Sequence, residues 1–301
     1  MSKILGIGNL VLDLILQVEQ FPEEDTEFRA TKRHFQFGGN TANTLYVLSQ
    51  LGHTSSLVAT LATDDTAKQL KNSLEQKAIK TDHIQRFIKG ATPTSYVWLS
   101  QQNGSRTITH YRDLPEVDFE HFAKIEVEDF DWLHFEGRNM QNLPGMINIA
   151  KTFLTHQPIS MEVEKPREGI EALFSQVNLL LFSHHYAKAK GYDDAESFIK
   201  EMHRLAPNTQ MVCTWGDQGA WCISNNGQLH HEPAQKLRKV IDTLGAGDTF
   251  NAGIIHHLLN GASLDQAAHE ASKLAARKCQ QIGLDHLMEP LATRKPIANA
   301  K

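Results

Sequence analysis

Residues 242–251 read Asp-Thr-Leu-Gly-Ala-Gly-Asp-Thr-Phe-Asn, and an amphipathic helical pattern follows at once. Gly245, Ala246 and Gly247 form a turn that glycine allows to come close to a ligand. The first N–H groups of a helix have no partner inside it, so a helix starting here predicts an anion site suited to a transferred phosphoryl group. Asp248 stands at that site, where a carboxylate can take the proton of an attacking hydroxyl. The alternative for such a motif alone is a plain helix cap.

A second glycine pair precedes another helical segment near the amino terminus. Residues 35–43 read Phe-Gln-Phe-Gly-Gly-Asn-Thr-Ala-Asn, in which Gly39 permits close approach of a ligand. Asn40 and Asn43 lie three apart at a helix start, so their amides share one face and can both donate to and accept from vicinal hydroxyls of a ligand. The alternative is that Asn40 only caps the helix. Asp13, a carboxylate in an apolar stretch, is either a further acceptor for ligand hydroxyls or a solvated strand residue.

Short apolar runs alternate with helical segments along the chain. The runs occupy residues 3–8, 56–61, 132–135, 159–163, 179–182 and 211–215. Runs of this length suit strands buried on both faces, and strands that alternate with helices form right-handed crossovers. The helical segments include residues 41–51 and 250–259, each with apolar side chains on one side. We therefore predict an α/β fold with a mainly parallel central sheet flanked by helices.

Two segments depart from that alternation and predict a small second sheet. Residues 12–18 carry apolar side chains at every second position, as in a strand with one covered face. Residues 95–101 and 106–111 flank Asn103 and Gly104, a pair that favours a hairpin turn. Together these pieces predict a small antiparallel β lid over a ligand cleft. The lid insertions would span approximately residues 12–36 and 92–116.

The composition fits one globular domain over residues 1–301, with 41% hydrophobic and 22% charged residues. A formal net charge of −5 with scattered basic residues lacks the basic patch of a nucleic-acid-binding protein. Three cysteines without a Cys-x-x-Cys pair argue against a disulfide framework and a structural zinc site. No apolar stretch approaches the roughly 20 residues that cross a bilayer, and residues 4–18 lack the features of a secretory signal. We expect a cytoplasmic protein with no membrane partner.

The two glycine motifs resemble the signatures of the ribokinase-like (phosphofructokinase-B-type, or pfkB) carbohydrate kinases. Within that family the chain is most similar to ketohexokinases, which form fructose 1-phosphate, and the similarity extends over nearly the whole chain. It is carried further by residues 104–108 (Gly-Ser-Arg-Thr-Ile), 134–139 (His-Phe-Glu-Gly-Arg-Asn) and 163–168 (Val-Glu-Lys-Pro-Arg-Glu). The resemblance implies a ribokinase-like fold and an ATP-dependent transfer of phosphate to the primary 1-hydroxyl of a ketohexose such as fructose, with Asp248 as the general base.

The resemblance also implies the ligand contacts. The ketose would be held by Asp13, Gly39, Asn40 and Asn43. Asp25 would reach the sugar of the partner subunit in a homodimer joined through its β lids, and Arg106 would contact the ATP phosphates. Two loops would line the nucleotide site, with Gly216, Asp217, Gln218, Gly219, Gly245 and Gly247. A magnesium ion would accompany ATP, and family members often respond to potassium, for which the loop around Asp242 is the expected place.

At two places the sequence leaves open how the protein contacts magnesium and the ATP phosphates. Glu162 and Glu164 share one strand face, so both carboxylates can face the cleft and order water on magnesium, or simply pair with Lys165 and Arg167. Ketohexokinases usually carry a lysine where this chain has His184, so a phosphate contact is either absent or made pH-dependent by the histidine.

Two other functions stay open on the sequence. A kinase of the same fold could act on ribose, another sugar, a nucleoside or a sugar phosphate, although no obvious cluster of basic residues for a phosphorylated sugar is present. A non-catalytic sugar- or nucleotide-binding sensor is the third reading, against which the intact Gly-Ala-Gly-Asp motif argues, because a sensor need not keep the base.

Overall fold

Fifteen strands and eight α-helices form in the computed structural model, which describes residues 1–102 and 105–289. The strands are β1 (Lys3–Ile7), β2 (Val11–Val18), β3 (Lys32–Gly38), β4 (Thr54–Val58), β5 (Thr60–Ala62), β6 (Ile79–Lys80), β7 (Gln85–Phe87), β8 (Thr94–Ser100), β9 (Arg106–Tyr111), β10 (Trp132–Glu136), β11 (Ile159–Val163), β12 (Leu179–Ser183), β13 (Gln210–Thr214), β14 (Ala220–Ile223) and β15 (Leu229–Glu232). The helices are α1 (Asn40–Gln50), α2 (Asp65–Gln76), α3 (Phe119–Phe122), α4 (Leu143–Phe153), α5 (His184–Ala189), α6 (Ala195–Leu205), α7 (Ala246–Leu259) and α8 (Leu264–Cys279).

The central sheet has nine strands in the order β15-β14-β13-β12-β11-β10-β1-β4-β6. Every pair from β13 to β6 in that order is parallel, so the predicted mainly parallel sheet is confirmed. At one end of the sheet β14 and the edge strand β15 run antiparallel to their neighbours, and neither was predicted from the sequence. Residues 225–228, which read Asn-Asn-Gly-Gln between them, carry the turn composition that could have revealed this hairpin.

Helices cover both faces of the central sheet because its strands are apolar on both sides. In β12, Leu180 and Phe182 belong to the cluster formed with α4 and α6, whereas Leu179 and Leu181 belong to the cluster formed with α1, α7 and α8. The predicted helices at residues 41–51 and 250–259 correspond to α1 and to the later part of α7. Within the described part of the chain, no helix is long and apolar enough to span a membrane.

The predicted strand at residues 56–61 is wrong as a single element. β4 stays in the central sheet as far as Val58, whereas β5 starts at Thr60 and pairs with β7 in a separate two-stranded sheet. The N–H of Gln85 donates to the carbonyl of Ala59 at 2.9 Å. That bond draws the chain away from the central sheet between the two strands.

A second sheet has the strand order β3-β2-β8-β9, so the predicted small sheet is confirmed. Its two outer pairs are antiparallel, whereas the middle pair, β2 with β8, is parallel. The middle strands come from distant parts of the chain and are not joined by a hairpin, which leaves their direction free. The predicted turn residues Asn103 and Gly104 lie outside the described residues. In this sheet Asp13 is in register with Gln36 and Ser95, so these three side chains share one face.

Candidate active site

The candidate site lies where the strand order of the central sheet reverses. From β1 the chain adds β4 on one side and later β10 on the other, and ligands of open α/β sheets bind outside the carboxyl ends of the strands at such a point. Across this crevice the N–H of Asn9, just after β1, donates to Glu136 Oε2 at the end of β10 at 2.7 Å. The lid strand β2 begins directly after this contact.

Asp248 lies in the first turn of α7, whose N-cap Gly245 has a left-handed φ of +78°. A Cβ at Gly245 would also come within 3.1 Å of Leu284 Cδ2, so both conformation and space favour glycine. The Asp248 residue is only 7% exposed, and its Oδ2 accepts a hydrogen bond from Asn43 Nδ2 at 2.8 Å. The two glycine motifs, 205 residues apart at this contact, therefore meet in one place.

The surroundings of Asp248 favour its protonated form more than water would. Burial raises the pKa of this carboxyl group from 3.8 to about 7, and the nearby charges of Glu164 and Glu136 add to the rise. The hydrogen bond from Asn43 opposes it. A carboxylate whose pKa lies near neutrality is matched to the task of accepting a proton at that pH.

Asn40 joins a group of carboxylates at the end of β11. Its Nδ2 donates to Glu162 Oε1 and to Glu164 Oε2, each at 3.2 Å. Asn251, one turn further along α7 than the predicted base, also donates to Glu162 Oε1 at 3.2 Å. Burial raises the pKa of Glu162 well above its ordinary value, and the charge of Asp248 is the next largest cause. Both carboxylates therefore lie beside Asn40, and Glu164 also lies 3.6 Å from Lys165 Nζ.

Asp13 lies on β2 of the second sheet, against the backbone that leads into α1. Its carboxylate accepts hydrogen bonds within the lid from Ser95 and Gln36, while burial raises its pKa from 3.8 to about 6. A Cβ on Gly38 would lie 2.3 Å from Asp13 Oδ2, so the backbone leading to Asn40 runs directly against this carboxylate. The lid and the start of α1 therefore present their polar groups to the same space.

Arg106 connects the lid strand β9 to the loop that precedes Gly245. Its Nη2 donates to Thr243 Oγ1 at 3.5 Å, and its Nη1 lies 3.8 Å from Asp242 Oδ1. The same Asp242 carboxylate accepts a hydrogen bond from the fully buried Lys278 at 2.6 Å. A lid arginine and a core lysine thus converge on the loop that leads into the predicted anion site.

The second predicted nucleotide loop forms a 3₁₀ turn, Gly216–Gln218, just after β13. The N–H of Trp215 donates to the carbonyl of Gly219 at 2.7 Å and closes this turn. A Cβ on Gly219 would lie 2.0 Å from the carbonyl oxygen of Glu232, so the backbones touch there. All three residues of the turn are exposed at the carboxyl edge of the sheet, and its two side chains are those of Asp217 and Gln218. No hydrogen bond of the described residues joins this loop to the Gly245 loop.

Two other residues named from the sequence lie apart from Asp248. Asp25 occupies an exposed turn between β2 and β3 with φ +58°, and no hydrogen bond within the described structure joins it to the site. His184 begins α5 at the end of β12, where its ring lies 3.9 Å from that of His185. Burial lowers the pKa of His184, so this side chain does not supply the permanent positive charge of a lysine at neutral pH.

Sequence reasoning assigned no site role to Asn9, Glu136, Arg112 or Arg138. Arg112 Nη1 donates to Asn9 Oδ1 at 2.6 Å, and Arg138 Nη1 donates to Glu136 Oε1 at 3.2 Å. Glu136 is the register partner of Glu162 on the neighbouring strand. Aligning the ends of the predicted parallel strands could have found Glu136, because carboxyl ends meet at one edge of a sheet.

Known proteins are similar to this chain in sequence and in fold. The model of the pfkB family carbohydrate kinases matches residues 1–290. Ketohexokinase of Mus musculus is 35% identical over 295 residues, which cover 95% of this chain and 99% of that protein. A fructosamine kinase of Bacillus subtilis is 26% identical and covers 93% of this chain and 92% of its own. Among solved structures, Arabidopsis thaliana ribokinase complexed with ribose and ATP gives a TM-score of 0.78 at 18% identity, covering 94% of both chains.

Proposed function

Because the chain belongs to the pfkB family of carbohydrate kinases, we propose that it transfers the γ-phosphoryl group of ATP to the primary 1-hydroxyl of a ketohexose such as fructose. The phosphotransferase activity on an alcohol group and the ribokinase-like fold, both predicted from the sequence, are confirmed. The finer proposal depends on one observation: the Asp248 carboxylate stands at the start of α7 in contact with Asn43. The 35% identity to a ketohexokinase supports the choice of sugar.

In the proposed reaction Asp248 is the general base. The sugar hydroxyl attacks the γ-phosphorus, its proton passes to the Asp248 carboxylate, and the bond from the γ-phosphorus to the β,γ-bridging oxygen of ATP breaks. The N–H groups of Gly247 and Asp248 at the start of α7 would stabilise the negative charge that spreads over the transferring group, whereas the N–H of Ala246 already donates to the carbonyl of Thr243 at 3.2 Å. Asn43 would hold the carboxylate in place by its 2.8 Å hydrogen bond.

On the sugar side, the proposal assigns the hydroxyl contacts to Asp13, Gly39, Asn40 and Asn43. Carboxylate and amide groups match vicinal hydroxyls, since one accepts and the other both donates and accepts. The contacts of Asp13 with the backbone beside Asn40, and of Asn43 with Asp248, support this assignment because they draw the four residues and the base around one space.

On the nucleotide side, the proposal places the ATP phosphates between the start of α7 and Arg106. The guanidinium of Arg106 already lies beside Thr243 and Asp242, within the loop that leads to Gly245. A guanidinium can grip phosphate oxygens in a bidentate way. The turn with Gly216, Asp217, Gln218 and Gly219 would receive the nucleoside end at the same edge of the sheet. The solved relative with ribose and ATP supports ATP as the phosphate donor.

The carboxylates at the end of β11 fit a magnesium ion carried by ATP. Glu162 Oε2 is buried without a hydrogen-bond partner, and the side chain of Glu164 is 37% exposed. Within the described residues, no group of three or more His, Cys, Asp or Glu side chains is placed to hold a metal. Magnesium in kinases keeps several waters and takes most other ligands from phosphates, so two carboxylates acting through water suffice. The ion would neutralise phosphate charge during transfer.

The substrate assignment is tested by coupled ADP release with a panel of acceptors. With fructose, ribose, fructose 6-phosphate and adenosine at matched concentrations, we expect kcat/KM for fructose to be at least about tenfold above the others, because hydroxyl-binding sites reject sugars that leave their polar groups unpaired. A preference for another acceptor would reassign the substrate within the family. Binding of sugar and ATP without any ADP release would favour the sensor.

We also propose that two chains pair through their lids, so that Asp25 reaches the partner's sugar. The face of the lid opposite Asp13 exposes aromatic side chains, with Phe35 50% and Tyr96 43% exposed, and Phe21 nearby is 51% exposed. Such a contiguous apolar surface marks an interaction site on a soluble protein.

The lid pairing predicts a dimer that one charge disrupts. Sedimentation velocity at micromolar concentration should show a dimer for the natural chain and a monomer for Tyr96→Glu, because the substitution buries an unpaired carboxylate in the interface. Phe153→Glu is the matched control, since Phe153 is 56% exposed at the end of α4, outside the lid. A monomeric natural chain, or equal behaviour of the two variants, would contradict the proposal.

A further inference from the structure

The buried ammonium group of Lys278 lies beside the loop that leads into the anion site. Lys278 occupies the last turn of α8 and is 0% exposed. Its Nζ donates to the backbone carbonyl of Asp242 at 2.9 Å and to Asp242 Oδ2 at 2.6 Å. Burial lowers the pKa of Lys278, and the hydrogen bond to Asp242 and the charge of its carboxylate oppose that fall, as a buried charge requires.

Asp242 is the centre of the contacts that shape this loop. Besides Lys278, its carboxylate accepts the N–H of Leu244 at 2.9 Å and the N–H of Gly283 at 3.2 Å. The N–H of Ile241 donates to the carbonyl of Cys279 at 2.8 Å. The segment just before Gly245 is therefore held against the end of α8 through one carboxylate and its cation.

These contacts do not fit the potassium ion that the resemblance led us to expect at this loop. A monovalent cation there would need oxygen ligands, and the carbonyl and one carboxylate oxygen of Asp242 are already bound to a positive charge. The carbonyl of Cys279 accepts the N–H groups of both Ile241 and Asp242. A second cation at the same oxygens would be repelled by the lysine.

We propose that Lys278 is a built-in cation and positioning residue that holds the Asp242 loop, and hence the start of α7, without potassium. The inference rests on the proposed function, since the loop matters because it shapes the site of phosphate transfer. Lys278 acts through Asp242 and does not itself contact the reacting atoms. Arg106 reaches the other carboxylate oxygen of Asp242, so the same anchor also sets where the lid arginine rests.

The first test measures turnover of the natural protein in potassium, sodium or tetramethylammonium chloride at equal ionic strength, with Mg²⁺ and ATP constant. We expect kcat to agree within about twofold in all three salts, whereas activation by potassium of about tenfold or more would overturn the proposal. If no acceptor is phosphorylated in any salt, the proposed function fails. Calorimetric binding of a non-hydrolysable ATP analogue in the same salts then tests separately whether the site needs potassium. Equal affinities support the built-in cation, and tighter binding only in potassium contradicts it.

The second test removes the charge. Lys278→Met should lower kcat by about tenfold or more while KM for the sugar changes little, because the sugar residues lie on other elements, and Lys278→Arg should recover part of the loss. Lys273→Met is the matched control, since Lys273 is on the same helix but exposed, paired with Glu270 at 2.8 Å. Equal turnover of the two methionine variants, or equal loss in Lys278→Met and Lys278→Arg, would overturn the role of the charge. If Lys278→Met does not fold, the salt comparison on the natural protein still decides.

Discussion

Asp248→Asn should lower kcat by about a thousandfold, the usual contribution of a positioned general base. The amide cannot take the proton of the sugar hydroxyl at neutral pH, yet its shape allows the hydrogen bond with Asn43 to persist. Sugar and ATP affinities should therefore change little. Single-turnover and steady-state kinetics, with ligand binding measured by calorimetry, check this result.

The same substitution should stabilise the folded protein at high pH. The pKa of Asp248 is about 7 in the folded state and 3.8 when unperturbed, so the folded state holds this proton more tightly. The contribution of the protonated Asp248 to the free energy of unfolding is fully present below pH 3.8 and is lost as the pH rises through about 7. For this difference in pKa the loss is at most about 4 kcal/mol. The asparagine side chain stays uncharged at every pH. The melting temperature of Asp248→Asn should therefore exceed that of the natural protein at pH 8, and the difference should shrink toward pH 4.

The control for both effects is Asp65→Asn. Asp65 also lies in the first turn of a helix, α2, but it is exposed and pairs only with Lys68 at 2.8 Å. That variant should keep normal turnover and show no pH-dependent gain of stability. In the natural protein kcat/KM should decline below about pH 7 as the base takes up a proton. Near-normal turnover of Asp248→Asn would remove Asp248 from the proposed role.

Gly39→Ala is expected to disrupt both fold and site. Gly39 precedes α1 with φ +106°, and a Cβ there would lie 2.2 Å from the carbonyl oxygen of Asn9, a backbone atom that cannot move aside cheaply. The strain and the overlap together should reduce the free energy of unfolding by about 2–5 kcal/mol. Relief by moving α1 would displace Asn40 and Asn43, so KM for the sugar should rise. Urea unfolding and acceptor kinetics measure the two effects.

Gly52→Ala is the control that separates the cost of a left-handed backbone conformation from the cost of steric overlap. Gly52 also has a left-handed φ, +90°, but a Cβ there meets nothing within 4 Å. This variant should lose only about 1–2 kcal/mol for the left-handed conformation and keep its sugar affinity. If the two alanine variants behave alike, the close approach to Asn9 does not shape the sugar site.

The local parts of the site could be predicted because they depend on residues within one turn or one strand. Gly245 caps α7 and puts Asp248 in its first turn, as the spacing of the motif indicated. Asn40 and Asn43 lie in the first turn of α1 for the same reason. The roles assigned to Asp25 and to the Gly216 turn came from family resemblance, whereas those of Asp13, Asn40 and Asn43 also came from residue type and spacing; all of them remain predictions.

The partners across the site could not be predicted, because they depend on the order and register of strands. Glu136 lies beside Glu162 because β10 and β11 pair in the register that makes these two residues neighbours. Lys278 showed one local sign, a lysine on the buried stripe of α8 with Ala267 and Ala271, but its partner Asp242 lies 36 residues away. Helical periodicity predicts that a side chain is buried and does not tell what it meets.

By itself the sequence determined the family, the alternation of strands and helices, and the glycine turn that places Asp248 at the start of α7. Only the tertiary structure decided that Asn43 meets Asp248, that Arg106 and Lys278 converge on one carboxylate, and that β2 runs parallel to β8. The physical reason is one of range. Backbone geometry constrains neighbours a few residues apart, whereas contacts between remote residues follow from which apolar faces pack together and so set the order of the sheet.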